Sequence, residues 1–134
     1  MKLIRSSRSG RSSVNAKDRP KKTFDGDVWV DPVLSDDGIS IHNVMFTPGA
    51  RSFWHWHEQG QILRVTVGSG WVCDRGGEPQ RINVGDIVYC PADTVHWHGA
   101  DEKSYMVHQA TTLGKVKFLE QVSDEEYASC TKAS

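Results

Sequence analysis

Long apolar runs are missing from this sequence: nothing in it approaches the ~18 consecutive apolar residues that a membrane span requires. Nor does the N-terminus carry the apolar central stretch of a secretory signal. Together these absences predict a soluble protein of the cytoplasm. Cysteine is scarce, with three residues, Cys73, Cys90 and Cys130, that are far apart and form no CxxC pair. An odd, dispersed set argues against a disulfide framework or a thiolate zinc knuckle, and reduced thiols are expected. There is no internal repeat. A length of 134 residues leaves room for one domain of ordinary size, and 37% hydrophobic content permits a packed core.

The net charge of -1 conceals an asymmetry. Residues 1–22 hold eight Lys or Arg against the single acid Asp18, a net +7, while the remaining residues carry eight basic and sixteen acidic side chains, a net -8. A basic, Ser-rich arm can contact nucleic acid or anionic lipid, or serve as a transit segment. Its low apolar content favours instead a solvated arm, with Leu3 and Ile4 in a short strand, and neither nucleic acid nor membrane is expected as a partner. Residues 1–22 are thus read as an arm, and 23–134 as one domain.

From Thr23 onward, short β-type runs alternate with turn residues, as in an antiparallel sandwich or barrel. Strands are expected near 28–30, 39–47, 53–57, 62–67, 70–74, 80–84, 86–90, 95–99, 105–111 and 116–119. Turns are expected at Asp31-Pro32, Asp36-Asp37-Gly38, Pro48-Gly49, Gly68-Ser69-Gly70, Arg75-Gly76-Gly77 and Val84-Gly85-Asp86. The one helix signal is terminal: Ser123-Asp124-Glu125-Glu126 fits a capping box opening one or two turns.

Four of the six histidines fall in two clusters, His55-Trp56-His57 and His96-Trp97-His98. Residues i and i+2 of a strand share a face, so each pair can aim two imidazoles into one space. A hairpin after Glu58-Gln59-Gly60 would return the Gln61 amide beside the first pair. Trp54, Trp56 and Trp97 alternate with the histidines and should face the other way, against a second sheet, a partner or the arm; Trp71 is read as core. Arg64 is read as an internal ion-pair partner, and His42 as structural or near the rim.

Gly49, five residues, His55-x-His57, three residues, Gln61, six residues, Gly68 resembles the first motif of the cupin superfamily, and Gly85, five residues, Pro91, then His96 resembles the second. The resemblance implies an all-β cupin (jelly-roll) barrel with a divalent metal held by His55, His57, Gln61 and His96. Asp93 and Ala100 stand where the second motif commonly has Gly and Asn, and Gln61 where most cupins have Glu. The longer stretch from Thr47 to Gly114 looks like the small single-domain cupins that include the manganese-dependent hydroxynitrile lyases, which share the Gln. That resemblance implies proton-transfer roles for His98 and His108, a metal-bound substrate hydroxyl and a homodimer. Three imidazoles and an amide leave a divalent ion its full charge, favouring Lewis-acid over redox chemistry. Manganese is the first choice and iron the second, ahead of cobalt, nickel and zinc. The expected function is a lyase acting on a small carbinol or carbonyl substrate. The alternatives are an iron-dependent dioxygenase and a non-catalytic small-ligand binder.

Overall fold

Period-two alternation resolves into antiparallel strands throughout. In the computed structural model, which describes residues 1–6 and 13–133, these are, in chain order, β1 (Val14–Asn15), β2 (Phe24–Asp25), β3 (Val28–Asp36), β4 (Ile39–Phe46), β5 (Arg51–Ser52) and β6 (His55–His57). They continue with β7 (Gln61–Asp74), β8 (Gln80–Asn83), β9 (Ile87–Cys90), β10 (His96–Ala100), β11 (Met106–Leu113) and β12 (Val116–Phe118), followed by the helix α1 (Asp124–Ala133). One sheet runs β1, β3, β4, β11, the first half of β7, then β9. The other runs β8, the second half of β7, then β10, beyond which β5 and β6 pair with β2 and β12. The two sheets curl into the expected jelly-roll barrel. Among the described residues no helix is long and apolar enough to cross a membrane.

The 14-residue β7 belongs to both sheets, and it corrects the turn expected at Gly68-Ser69-Gly70. Those residues mark the crossing instead. Gly68 adopts φ +73, a Cβ there would collide with the Tyr105 carbonyl oxygen, and the β11 register slips between Val107 and His108. Only glycine fits so close an approach of backbones in that conformation. The turn expected at Asp31-Pro32 is also replaced, by a register shift inside β3 between Pro32 and Leu34. Proline lacks the ladder donor and is accommodated at such an irregularity.

Val28, Val30, Val44, Phe46, Val65 and Met106 pack between the sheets. A second cluster gathers Trp54, Trp71 and Trp97 with Cys73 under Val122 and Cys130. The outward tryptophans 54 and 97 are therefore covered by the C-terminal segment of their own chain. The capping box forms as expected, with the Glu126 N–H donating to Ser123 Oγ at 3.0 Å and the Ser123 N–H to Glu126 Oε1 at 2.9 Å. However, α1 runs 10 residues, longer than the one or two turns expected, because tertiary anchors hold it. Cys130 is buried, Tyr127 Oη donates to the Ala100 carbonyl at 2.6 Å, and Arg51 reaches both the Val122 carbonyl at 3.1 Å and Asp124 at 2.7 Å.

Leu3 and Ile4 are exposed and form no strand; Val14–Asn15 instead pairs with Trp29 and Val30, and Ala16 is buried in the core. Arg64 lies on the exposed outer face of β7, one residue out of phase with buried Leu63 and Val65, and so is not internal. Asp93 adopts φ 63, the conformation that a glycine in its place takes freely, and its N–H donates to the His57 carbonyl at 3.0 Å.

Candidate metal centre

Strand pairing assembles the site. His96 on β10 stands opposite His55 on β6, and parity carries His57 and His98 to the same inner face. From the other sheet, β11 contributes His108 and, four residues on with the same parity, Thr112, while Gln61 opens β7 directly across from Thr112. His55, His57, Gln61, His98 and His108 line one cavity of about 150 Å³, with His96 packed against it. The imidazole ring centroids lie 4.3 Å apart for His55 and His96, 5.1 Å for His55 and His57, and 5.5 Å for His57 and His96.

The backbone sets two tautomers. His55 Nδ1 lies 2.8 Å from the Phe53 carbonyl and His96 Nδ1 lies 2.9 Å from the Thr94 carbonyl. A carbonyl only accepts, so each Nδ1 carries its proton and each Nε2 presents a lone pair. Gln61 Nε2 donates to Thr112 Oγ1 at 3.0 Å, which leaves its Oε1 for the cavity. Ser52 Oγ accepts from the His98 N–H at 3.2 Å and fixes β10 against the β5 side of the site. His98 Nδ1 and His108 Nε2 are 3.0 Å apart, and one of them must donate. If His98 donates, its Nε2 is free to bind an ion or take a proton; if His108 donates, His98 Nε2 carries hydrogen and can only give it.

Every one of these imidazoles is held neutral. Burial pushes His57 and His108 down to about 4 and His55 and His98 well below the ordinary value of 6.5, with neighbouring imidazoles adding to the effect at His55, His57 and His98. Burial also lowers His96, against the opposing bond to Thr94. Buried atoms without a protein partner include both ring nitrogens of His57, Gln61 Oε1, and Nε2 of His96 and of His98. Leaving such groups unmatched costs about 1–3 kcal/mol each, so their convergence fits a bound cation, which would satisfy them together. Neutral imidazoles with an amide oxygen suit a borderline divalent ion.

Ring nitrogens of His55, His96 and His98 lie within 4.8 Å of one another, a group that can hold a divalent metal. The structure thus brings His55 and His96 together as expected and sets His57 and Gln61 around them. It also draws His98, read from sequence as a proton-transfer residue, into nitrogen reach of the same point. His108 stands behind His98. His42 reaches the cavity wall, and Arg19, Phe24, Ser52, Phe118 and Thr112 line it without having been anticipated. Parity with His108 could have found Thr112; nothing in the local sequence marks Arg19 or Ser52.

Fold and site together define a jelly-roll barrel with a histidine-rich interior able to hold a divalent ion. A family model described as the Cupin domain matches residues 42–108. The (R)-mandelonitrile lyase of Granulicella tundricola is 39% identical over 115 residues, covering 81% of this chain and 88% of that protein. The chain belongs to the cupin family and resembles a hydroxynitrile lyase. A cupin-like protein of Thermotoga maritima superposes with a TM-score of 0.83 at 34% identity, covering 90% of this chain and 97% of its own. A cupin 2 conserved barrel domain protein of Rhodopseudomonas palustris, at 15% identity, shares the fold with a TM-score of 0.70 over 98% of this chain and 93% of its own.

Proposed function

We propose that the protein is a metal-dependent lyase that cleaves or forms a carbon–carbon bond beside a carbinol oxygen, with cyanohydrin, aldehyde and cyanide as the reactants. The carrying observation is the convergence of unpartnered neutral donors on one small cavity. Similarity to an (R)-mandelonitrile lyase supports the choice of reaction. In this reading His55, His57, Gln61 and His96 hold the ion, manganese first and iron second. Bound there, a divalent ion supplies Lewis acidity toward a carbinol or carbonyl oxygen. His98 takes the hydroxyl proton at Nε2 while its Nδ1–H is held by His108 Nε2. The carbon–carbon bonding pair leaves with the nitrile carbon as the carbonyl forms. The proton then passes from the histidine pair to cyanide, so aldehyde and hydrogen cyanide balance the cyanohydrin. No oxygen is consumed.

In this reading residues 23–134 are the catalytic domain and 1–22 a basic arm, of which Val14–Asn15 and Ala16 join the domain. A homodimer is supported by the outer face of the sheet containing β3, β4, β11, β7 and β9, where Trp29, Ile62, Ile87 and Tyr89 are exposed. A cytoplasmic location is supported by three buried free cysteines. The test is turnover of racemic mandelonitrile by manganese-loaded protein, with and without oxygen. His98→Ala and His108→Ala should keep the metal and lower turnover ~100-fold or more, the scale of a lost acid or base. Strict oxygen dependence would overturn the lyase reading, and undiminished turnover in both variants would remove the proton-transfer roles.

A further inference from the structure

The cavity has one ionic side chain among its described lining residues, Arg19, and no carboxylate. Its other walls are apolar groups such as Phe24, Val44 and Phe118, together with neutral hydroxyl, amide and imidazole groups. The arginine is delivered there by construction. β1 fastens the preceding residues to β3, Ala16 is buried in the core, and the Arg19 N–H closes a 3-10 turn onto the Ala16 carbonyl at 3.2 Å. Three lysines of the same basic segment are neutralised, Lys2 by Asp36, Lys17 by Asp27 and Lys22 by Asp25. Arg19 has no ion-pair or side-chain hydrogen-bond partner among the described residues. Its charge is felt inside the site, where it acts with burial to disfavour protonation of His42; Asp31 acts in the opposite sense from outside the lining.

We infer that Arg19 is a specificity-determining residue that receives a carboxylate at one end of the cavity, so that the substrate is a small organic acid carrying its carbinol or carbonyl carbon at the other end. This rests on the lyase reading for the identity of the reacting carbon, and on the cavity alone for the anion. Arg19 is exposed on the cavity wall, and a guanidinium facing a lining without a carboxylate is matched by one, which it grips in bidentate fashion. A divalent ion with neutral ligands would raise the positive potential further and select in the same direction. His42, which feels the Arg19 charge on the same cavity wall, pairs with Ala110, whereas Val44 pairs with His108. One inward step along a strand is about 7 Å. A single aromatic ring bridges that step, and the cavity of about 150 Å³ is of a size that admits one. Arg19 therefore completes the site.

The probes are 4-(hydroxymethyl)benzoate and its neutral counterpart 4-(hydroxymethyl)benzamide, titrated calorimetrically into metal-loaded and metal-free protein at pH 8 and low salt. The native chain should bind the carboxylate about tenfold more tightly than the amide in both forms, a typical strength for one charge-assisted contact. Arg19→Met should abolish the preference and Arg19→Glu should reverse it, with metal content unchanged. Equal binding of the two probes by the native chain would overturn the inference. So would a preference that survives Arg19→Met, or one that disappears on removing the metal, because the carboxylate would then be held elsewhere. Failure of the lyase reading shows separately, as absence of cyanohydrin turnover with the Arg19-dependent preference intact.

Discussion

Acidification of the metal-free protein should unfold it through the histidine cluster, well above the pH at which its carboxylates matter. In the unfolded chain an imidazole takes its proton near 6.5, whereas burial holds His108 down to about 4 in the fold. Between those values the unfolded state binds the extra proton, so stability falls as pH falls and is unaffected above 6.5. The full gap is worth about 3 kcal/mol for His108 by pH 4, at 1.36 kcal/mol per pH unit. His57 has the same endpoint, and burial also pushes His55 and His98 well below 6.5, so they add losses of the same sign. Acting together, such contributions become comparable with the 5–15 kcal/mol margin of an ordinary domain as the pH falls toward 4, so unfolding sets in over that descent. Glu126 is a weak competitor: burial, which would raise its pKa, is outweighed by bonds from Ser123 and Trp54 together with the Arg75 charge, and what it loses is lost only below about 4.5. The assay is urea denaturation with chelator across pH 7.5 to 4.5, repeated with His108→Gln, whose slope should be shallower by up to 1.36 kcal/mol per pH unit. A flat profile for the metal-free native protein, or stability that rises on acidification, would refute the assignment of the cluster as buried and neutral.

Other outcomes follow from single contacts. Gln61→Glu should retain metal yet lose most lyase turnover, since a carboxylate cancels part of the charge that an amide leaves intact; unchanged kinetics would remove the charge argument. Gly68→Ala should cost several kcal/mol by denaturant midpoint, because both φ +73 and the Tyr105 carbonyl oppose a Cβ; a loss under ~1 kcal/mol would mean the strand crossing yields easily. Tyr127→Phe should cost about 1 kcal/mol through the 2.6 Å bond to the Ala100 carbonyl and loosen α1, seen as faster amide exchange over 124–130.

The strands were legible because alternation and turn residues are local signals, and the cluster because HxH on a strand fixes two side chains to one face. What escaped the sequence depends on distant partners. Gly68-Ser69-Gly70 has the composition of a turn, and its role as a crossing point is set by Tyr105 and Met106 packed against it. Arg64 sits in an apolar run whose phase only pairing with β9 and β11 resolves. The capping box announces where α1 starts, but its length comes from Arg51, Ala100 and the tryptophan cluster. Whether an imidazole presents a lone pair or an N–H to the cavity is likewise not readable from spacing at His96 and His98, because it turns on the tautomer that Thr94 or His108 imposes. Arg19 is invisible as a cavity residue until β1 is seen on the edge of β3.

If these histidines form one metal site, metal content must follow them residue by residue. Native protein, His55→Ala, His96→Ala and His98→Ala, each confirmed folded by circular dichroism, are loaded with manganese, desalted and measured by plasma mass spectrometry. One ion per native chain is expected, with none retained at stoichiometry by His55→Ala or His96→Ala, because losing a ligand imidazole of a buried site costs several kcal/mol of affinity, and with full retention by His98→Ala, whose imidazole carries the proton instead. Full metal in both His55→Ala and His96→Ala, or none in the native chain, would contradict it.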